Sequence, residues 1–309
     1  MKRLIVLGCL LLSVLSLVAC SLEEQGDSVT DASSAKKSRQ TLTVGAIPDQ
    51  DPEKLQRLYG KLTQYLQQEL KVPVVYKPVT DYTAAVSAFK VGDLDLVWFG
   101  GLTGTQARLK VPGAEPIAQR DIDANFHSVF IANTGSGLQP IQSLKGLTQL
   151  KGRTFTFGSE SSTSGRLMPQ YFLQQAGVKL QDFKGDPGFS KSHDATLELV
   201  QAGSYEAGVM NQQVWQSRLE EGRVDRSRVQ VIWRTPAYFD YHWVINPSVR
   251  ERFDPQFVAR VQTALFKLDP QNPDQKEILA LFKATKFIPT KPENYRQIEQ
   301  IGREIGKIK

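Results

Sequence analysis

The run Gly158-Ser159-Glu160-Ser161-Ser162-Thr163-Ser164-Gly165 holds the densest set of residues able to do chemistry in this chain. It follows an apolar, strand-like segment and precedes a helical pattern. Hydroxyls and glycines there coincide with the backbone N–H groups that a helix start leaves unpaired, and the helix dipole favours negative charge at that end. Ser162, Thr163 and Ser164 can donate side-chain hydrogen bonds to a tetrahedral oxyanion, and Arg166 either adds charge or faces solvent. Pro169 removes one helical bond, which moves the regular helix start to near Met168 and leaves 162–167 as an open turn. The same residues also suit a plain capping sequence. They form neither a P-loop, since no Gly-Lys-Ser/Thr follows, nor a Gly-x-Ser-x-Gly nucleophile elbow.

Ser192-His193-Asp194-Ala195 opens a second helix, with Ser192 or Asp194 as its cap. His193 then either projects toward a ligand as a donor or is a capping or surface residue. Trp98-Phe99-Gly100-Gly101-Leu102-Thr103 ends a strand; its aromatics read as core, Gly101 allows close backbone approach, and Thr103 offers a hydroxyl. Tyr238-Phe239-Asp240-Tyr241-His242-Trp243 is unusually aromatic and suits packing on one face and a cleft wall on the other.

The elements that must position these residues alternate between strand and helix. Leu42–Ile47, Val72–Val79 and Leu94–Phe99 read as strands, with helices from Asp51-Pro52 and over Tyr82–Val91. The grammar repeats: strand Arg153–Gly158, helix Gly165–Ala176, helix Asp194–Ala202, strand Tyr205–Met210, helix Gln212–Glu221 and strand Val229–Trp233. Such alternation predicts mainly parallel sheets covered by helices, here as two α/β lobes. The expected borders are 41–130 plus 240–309 for lobe 1 and 131–239 for lobe 2, so the chain crosses between lobes twice. Open α/β sheets bind ligands beyond the carboxyl ends of their strands. That places Asp49, Gly101, Thr103, the 159–166 turn, His193, Asn211, Asp240 and Tyr241 around a cleft between the lobes.

The N-terminus reads as an address. Met1-Lys2-Arg3 is a positive leader, Leu4–Val18 an apolar stretch, and Leu17-Val18-Ala19-Cys20 resembles a lipoprotein cleavage box. Residues 1–19 are expected to be a signal peptide, Cys20 the lipidated residue, and 20–40 a flexible polar tether. The destination is the periplasm or the outer face of the cell membrane. The 309 residues carry 38 basic and 32 acidic side chains, a small scattered excess that fits an anionic ligand and does not point to nucleic acid. The only cysteines are Cys9 and Cys20, so the folded body has no disulfide and no thiolate metal site. His127, His193 and His242 are too scattered for a metal cluster. No cofactor is expected.

With these residues in place, the chain resembles the solute-binding lipoproteins of phosphate/phosphite/phosphonate-type ABC importers. The resemblance covers nearly all of 41–301 and rests on Ser162-Thr163-Ser164-Gly165 with Pro169, His193-Asp194-Ala195, Leu94-Asp95-Leu96-Val97-Trp98-Phe99-Gly100 and Glu206-Ala207-Gly208. A narrower likeness is to a subfamily labelled selenate importers, through Ala46–Pro52, Val79–Tyr82, Trp98-Phe99-Gly100-Gly101, Phe126-His127-Ser128, Tyr238–Tyr241 and Phe287–Lys291. The resemblance implies a periplasmic-binding-protein fold with a two-strand hinge. It implies a monomer that closes over a small oxyanion and docks on a permease served by a separate ATPase. By motif position Ser162, Thr163, Ser164 and His193 hold the oxyanion. Phosphonate binders also bring tyrosines from the first lobe, whereas the matching loops here, Pro48-Asp49-Gln50 and Gly101-Leu102-Thr103, contain none. An acidic partner for an amine tail has no secure counterpart, with Asn211 and Asp240 in the neighbourhood. A carboxylate in the cleft, Asp49 or Asp240, would favour a protonated oxyanion over selenate or sulfate. Two other readings stay open: a ligand-sensing lipoprotein with a signalling partner, and an ester hydrolase using Ser162 or Ser164 with His193.

Overall fold

The computed structural model describes residues 40–309, and the expected signal peptide, Cys20 and almost all of the tether lie outside them. From its start the described chain runs through β1 (Leu42–Ala46), α1 (Pro52–Leu70), β2 (Val74–Tyr76), α2 (Tyr82–Val91), β3 (Leu96–Phe99), α3 (Gly101–Lys110) and β4 (Glu115–Arg120). It crosses to a second lobe made of β5 (Ser128–Asn133), β6 (Phe155–Phe157), α4 (Met168–Gln175), β7 (Gly188–Phe189), α5 (His193–Gln201), β8 (Ala207–Asn211), α6 (Gln212–Glu220) and β9 (Val229–Arg234). It returns through β10 (His242–Ile245), α7 (Ser248–Arg252), α8 (Phe257–Phe266), α9 (Pro273–Phe282), β11 (Phe287–Ile288) and α10 (Arg296–Glu304).

The first lobe carries a six-stranded sheet in the order β11-β4-β10-β3-β1-β2, and the second a five-stranded sheet in the order β7-β6-β8-β5-β9. The expectation of mainly parallel sheets needs correction. Only β1 with β2 and β3, and β6 with β7 and β8, pair in parallel. The strands that follow each crossing, β5 and β10, insert antiparallel to both neighbours, because each enters its sheet from the side of the cleft. The two crossing segments pair with each other at Phe126 and Tyr238, whose N–H and C=O groups exchange bonds of 2.9 and 3.0 Å.

Local sequence explains the elements that face the cleft. Asp51 caps α1 by accepting from the N–H groups of Glu53 and Lys54, with Pro52 at the first helical position. The stripe Leu55, Leu58, Leu62 and Leu66 then buries against the first sheet. α3 begins at Gly101 with no side-chain cap, which is why no start signal marks it in the sequence. Residues Thr163–Leu167 form one π-helical turn before α4 begins at Met168, as Pro169 requires. Among the described residues no helix is long and apolar enough to cross a membrane.

Candidate functional site

The π-helical turn and the start of α5 meet in the second lobe. Ser162 Oγ accepts from Gly165 N–H at 2.9 Å and so closes the turn. Ser164 Oγ lies 3.5 Å from His193 Nε2, and Ser164 C=O accepts from Ser128 Oγ at 2.7 Å. Ser192, not Asp194, caps α5, accepting from Ala195 N–H. His193 is fully buried, and its Nδ1 accepts from Asn211 N–H at 3.3 Å. That bond fixes the tautomer, leaving Nε2–H as a donor on the Ser164 side. Burial lowers the imidazole pKa to about 4, so the ring is neutral at physiological pH.

The first lobe and the crossing segment close the other side. Gly101 N–H donates to Asp240 Oδ1 at 2.8 Å, and Leu102 N–H donates across the cleft to Thr163 Oγ1 at 2.9 Å. Asp240 Oδ2 is buried without a hydrogen bond of good geometry, the Thr163 hydroxyl lies close to the carboxyl, and burial pushes the carboxyl pKa to about 7. Tyr82, the first residue of α2, is buried beside Ser162, whose side chain is its nearest polar neighbour, and its hydroxyl makes no hydrogen bond of good geometry. Tyr241 donates to Asp49 Oδ2 at 2.8 Å and accepts from Asn211 Nδ2 at 3.2 Å. Asp49 C=O accepts from His193 N–H at 3.0 Å, and burial raises the Asp49 side chain to about 6. Tyr241 also stacks on Trp98 and lies under the buried Arg120 guanidinium, which is paired with Asp123.

The structure thus gathers Ser162, Thr163, Ser164, His193, Gly101 and Asp240 around one spot, with Asp49, Tyr241 and Asn211 in an adjoining hydrogen-bonded chain. Thr103 is different: its hydroxyl donates to Gly100 C=O within its own turn. Arg166 neither faces solvent nor pairs with an acid. Its guanidinium lies 4.2 Å from the Phe157 ring centroid and 5.1 Å from that of Phe189. Two tyrosines that the sequence reading placed in wider stretches, without a role at the site, also lie here. Tyr82 is a first-lobe tyrosine beside the turn, where the loops Pro48–Gln50 and Gly101–Thr103 hold none; it follows Asp81, whose side chain caps α2. Tyr238 Oη lies 2.6 Å from Ser128 Oγ, behind the turn.

The donors converging here are hydroxyls, one imidazole N–H and backbone amides, opposite one carboxyl. That set suits a small oxyanion held by neutral dipoles, with one proton shared at Asp240. For nucleophilic catalysis the Ser164–His193 pair lacks an orienting carboxylate, because Nδ1 is taken by a backbone amide.

A family model described as ABC transporter, phosphonate, periplasmic substrate-binding protein matches residues 44–295. The probable ABC transporter phosphite binding protein PhnD1 of Prochlorococcus marinus (strain MIT 9301) is 48% identical over 269 residues, 87% of this chain and 91% of that protein. The structure of PhnD1 from this organism in complex with methylphosphonate matches with a TM-score of 0.85, covering 87% of this chain and 99% of that one. A binding protein component of an ABC phosphonate transporter from Pseudomonas aeruginosa shares the fold at 22% identity, with a TM-score of 0.71 and 85% of each chain covered.

Proposed function

Since the chain belongs to the family of periplasmic substrate-binding proteins of phosphonate ABC transporters, we propose that its cleft captures phosphite or a small phosphonate such as methylphosphonate. It is the solute-binding component of an ABC importer for a tetrahedral oxyanion. The observation that carries the finer reading is the pair of buried polar atoms, Tyr82 Oη and Asp240 Oδ2, that find no hydrogen bond of good geometry although the Ser162 and Thr163 hydroxyls lie close by. Each costs about 1–3 kcal/mol while unsatisfied. A singly protonated oxyanion satisfies both: one oxygen accepts from Tyr82, and one shares its proton with Asp240. The hydroxyls of Ser162 and Ser164, His193 Nε2–H and the amides of the turn take the remaining oxygens. Thr163 exchanges its cross-cleft bond for the ligand or keeps it as a clasp.

This arrangement selects by proton. Phosphite and phosphonates keep a proton near neutral pH, whereas selenate and sulfate must take it from Asp240. Selenate is therefore the weaker cargo in this reading. The site binds without turnover, and the closed protein hands its ligand to a permease and ATPase. The anchor is a diacylated Cys20. Calorimetric titration with phosphite, methylphosphonate, phosphate, selenate and sulfate tests the site. Tight binding of a phosphorus oxyanion, lost in His193→Ala, supports it, and the absence of heat with all five overturns it. Metabolic labelling with a fatty acid, abolished by Cys20→Ser, tests the anchor.

A further inference from the structure

Ion pairs that join the two lobes follow one pattern among the described residues. Lys54 Nζ of α1 pairs with Glu221 at 3.2 Å, Lys283 Nζ after α9 with Glu220 at 2.6 Å, and Lys307 Nζ with Glu160 at 3.3 Å. In each the lysine belongs to the first lobe and the glutamate to the second. The other ion pairs stay within one lobe. Lys54 is the most enclosed lysine of the three, and it also donates to Ser217 Oγ at 2.9 Å. Behind it, Arg218 ties Glu221 to Asp194, with bonds of 2.5 Å to Glu221 and of 2.5 and 2.7 Å to Asp194. Asp194 Oδ2 then accepts Asp51 N–H across the cleft at 2.8 Å. Asp194 is the neighbour of His193, so this network ends at the donor of the ligand site.

We infer that these opposed lysine and glutamate rims form an electrostatic latch that holds the cleft shut and slows ligand escape, with Asp194 the positioning residue that carries it to His193. The inference rests on the oxyanion reading only for its ligand readout. Opposite charges on separate bodies attract when the rims approach, and the attraction is shared by every cargo because no latch group touches it. Latch strength therefore sets dwell time and leaves the ranking of anions unchanged, whereas pocket residues set the ranking.

Charge exchange at Lys283 and Glu220 tests it, since Glu220 is largely solvent-exposed, Lys283 is partly so, and neither belongs to the buried core. Dissociation of methylphosphonate is followed by stopped-flow tryptophan fluorescence, and the ligand-free proteins are measured by small-angle scattering. Lys283→Glu and Glu220→Lys should each speed dissociation about three- to tenfold at low salt, and the double exchange should restore the parent rate. Near 0.5 M salt the difference should vanish, because screening shortens the reach of these charges to roughly 4 Å. Unchanged rates in the single variants, or a double variant that fails to recover, overturn the latch. If the parent binds no methylphosphonate, the oxyanion reading falls and scattering alone decides. The single variants should then show a larger radius of gyration than the parent and the double variant should not; equal radii overturn the latch.

Discussion

Gly101 N–H donates to Asp240 Oδ1 at 2.8 Å, and this bond leaves the other oxygen, Oδ2, buried without a hydrogen bond of good geometry. The carboxyl is thus held by the first amide of α3, and in the proposed binding mode its other oxygen takes the proton of the ligand. Asp240→Asn keeps the bond to Gly101 through Oδ1 but turns Oδ2 into an N–H donor. At about pH 6 the variant should bind methylphosphonate about 10- to 100-fold more weakly, the cost of opposing a P–OH with a donor. Selenate should bind it more tightly than it binds the parent. Calorimetry with both anions checks the crossover; equal losses for both would remove Asp240 from selectivity.

The same carboxyl makes stability depend on pH. Its pKa is about 7 when folded, raised by burial, against about 3.9 in an unfolded chain. Between these values the folded protein holds a proton that the unfolded chain has lost. Stability from this group is therefore full below pH 4 and declines as pH rises through 7. Asp49, raised to about 6, adds the same sign over a narrower window. His193 acts oppositely at the acid end: burial holds it near 4, so the unfolded chain gains a proton first as pH falls below about 6.5. Denaturant unfolding of ligand-free protein at about pH 5 and 8 should show the parent losing about 2 kcal/mol more than Asp240→Asn. Parallel losses would refute the buried-acid account.

Tyr82→Phe should have opposite effects on the free and bound protein. It deletes a buried hydroxyl that makes no hydrogen bond of good geometry, so the ligand-free fold should gain about 1 kcal/mol or stay level. The oxyanion loses one donor, which should weaken binding about 5- to 20-fold. Thermal melting with and without methylphosphonate reads both effects, and a destabilised free protein would show that the hydroxyl has a partner in solution.

What the residues disclosed on their own was chemistry that repeats a local rule. Hydroxyls beside a helix start announced the 162–164 turn, and Pro169 announced its irregular geometry. Asp51-Pro52 fixed the start of α1, and periodic leucines fixed its buried face. The missing parts depend on contacts distant in sequence. Thr103 looked like a donor until its turn brought Gly100 C=O within reach. Tyr82 carries no local mark beyond its cap, and only the approach of the second lobe sets it beside Ser162. The antiparallel entry of β5 and β10 reflects chain crossing, which strand composition does not encode.

Gly165 offers a test of the turn's tightness. A Cβ there would sit 3.0 Å from Ser162 Oγ, 3.2 Å from Gly158 Cα and 3.2 Å from His193 Cε1. Gly158 Cα is backbone, held by the bond from Gly158 N–H to Gly165 C=O at 2.9 Å, so it cannot yield as a flexible side chain does. Gly165→Ala must displace the imidazole or open the turn, which costs about 1–3 kcal/mol of fold stability. Because the displaced groups are the proposed oxyanion donors, affinity should fall by a larger factor than stability alone predicts, about 100-fold. Gly177→Ala is the control, for no atom lies within 4 Å of its added Cβ and its positive φ of 77° strains the backbone without touching the site. It should lose comparable stability and keep its affinity. If both variants bind methylphosphonate equally well, the close approach of Gly158, Gly165 and His193 plays no part in positioning the ligand.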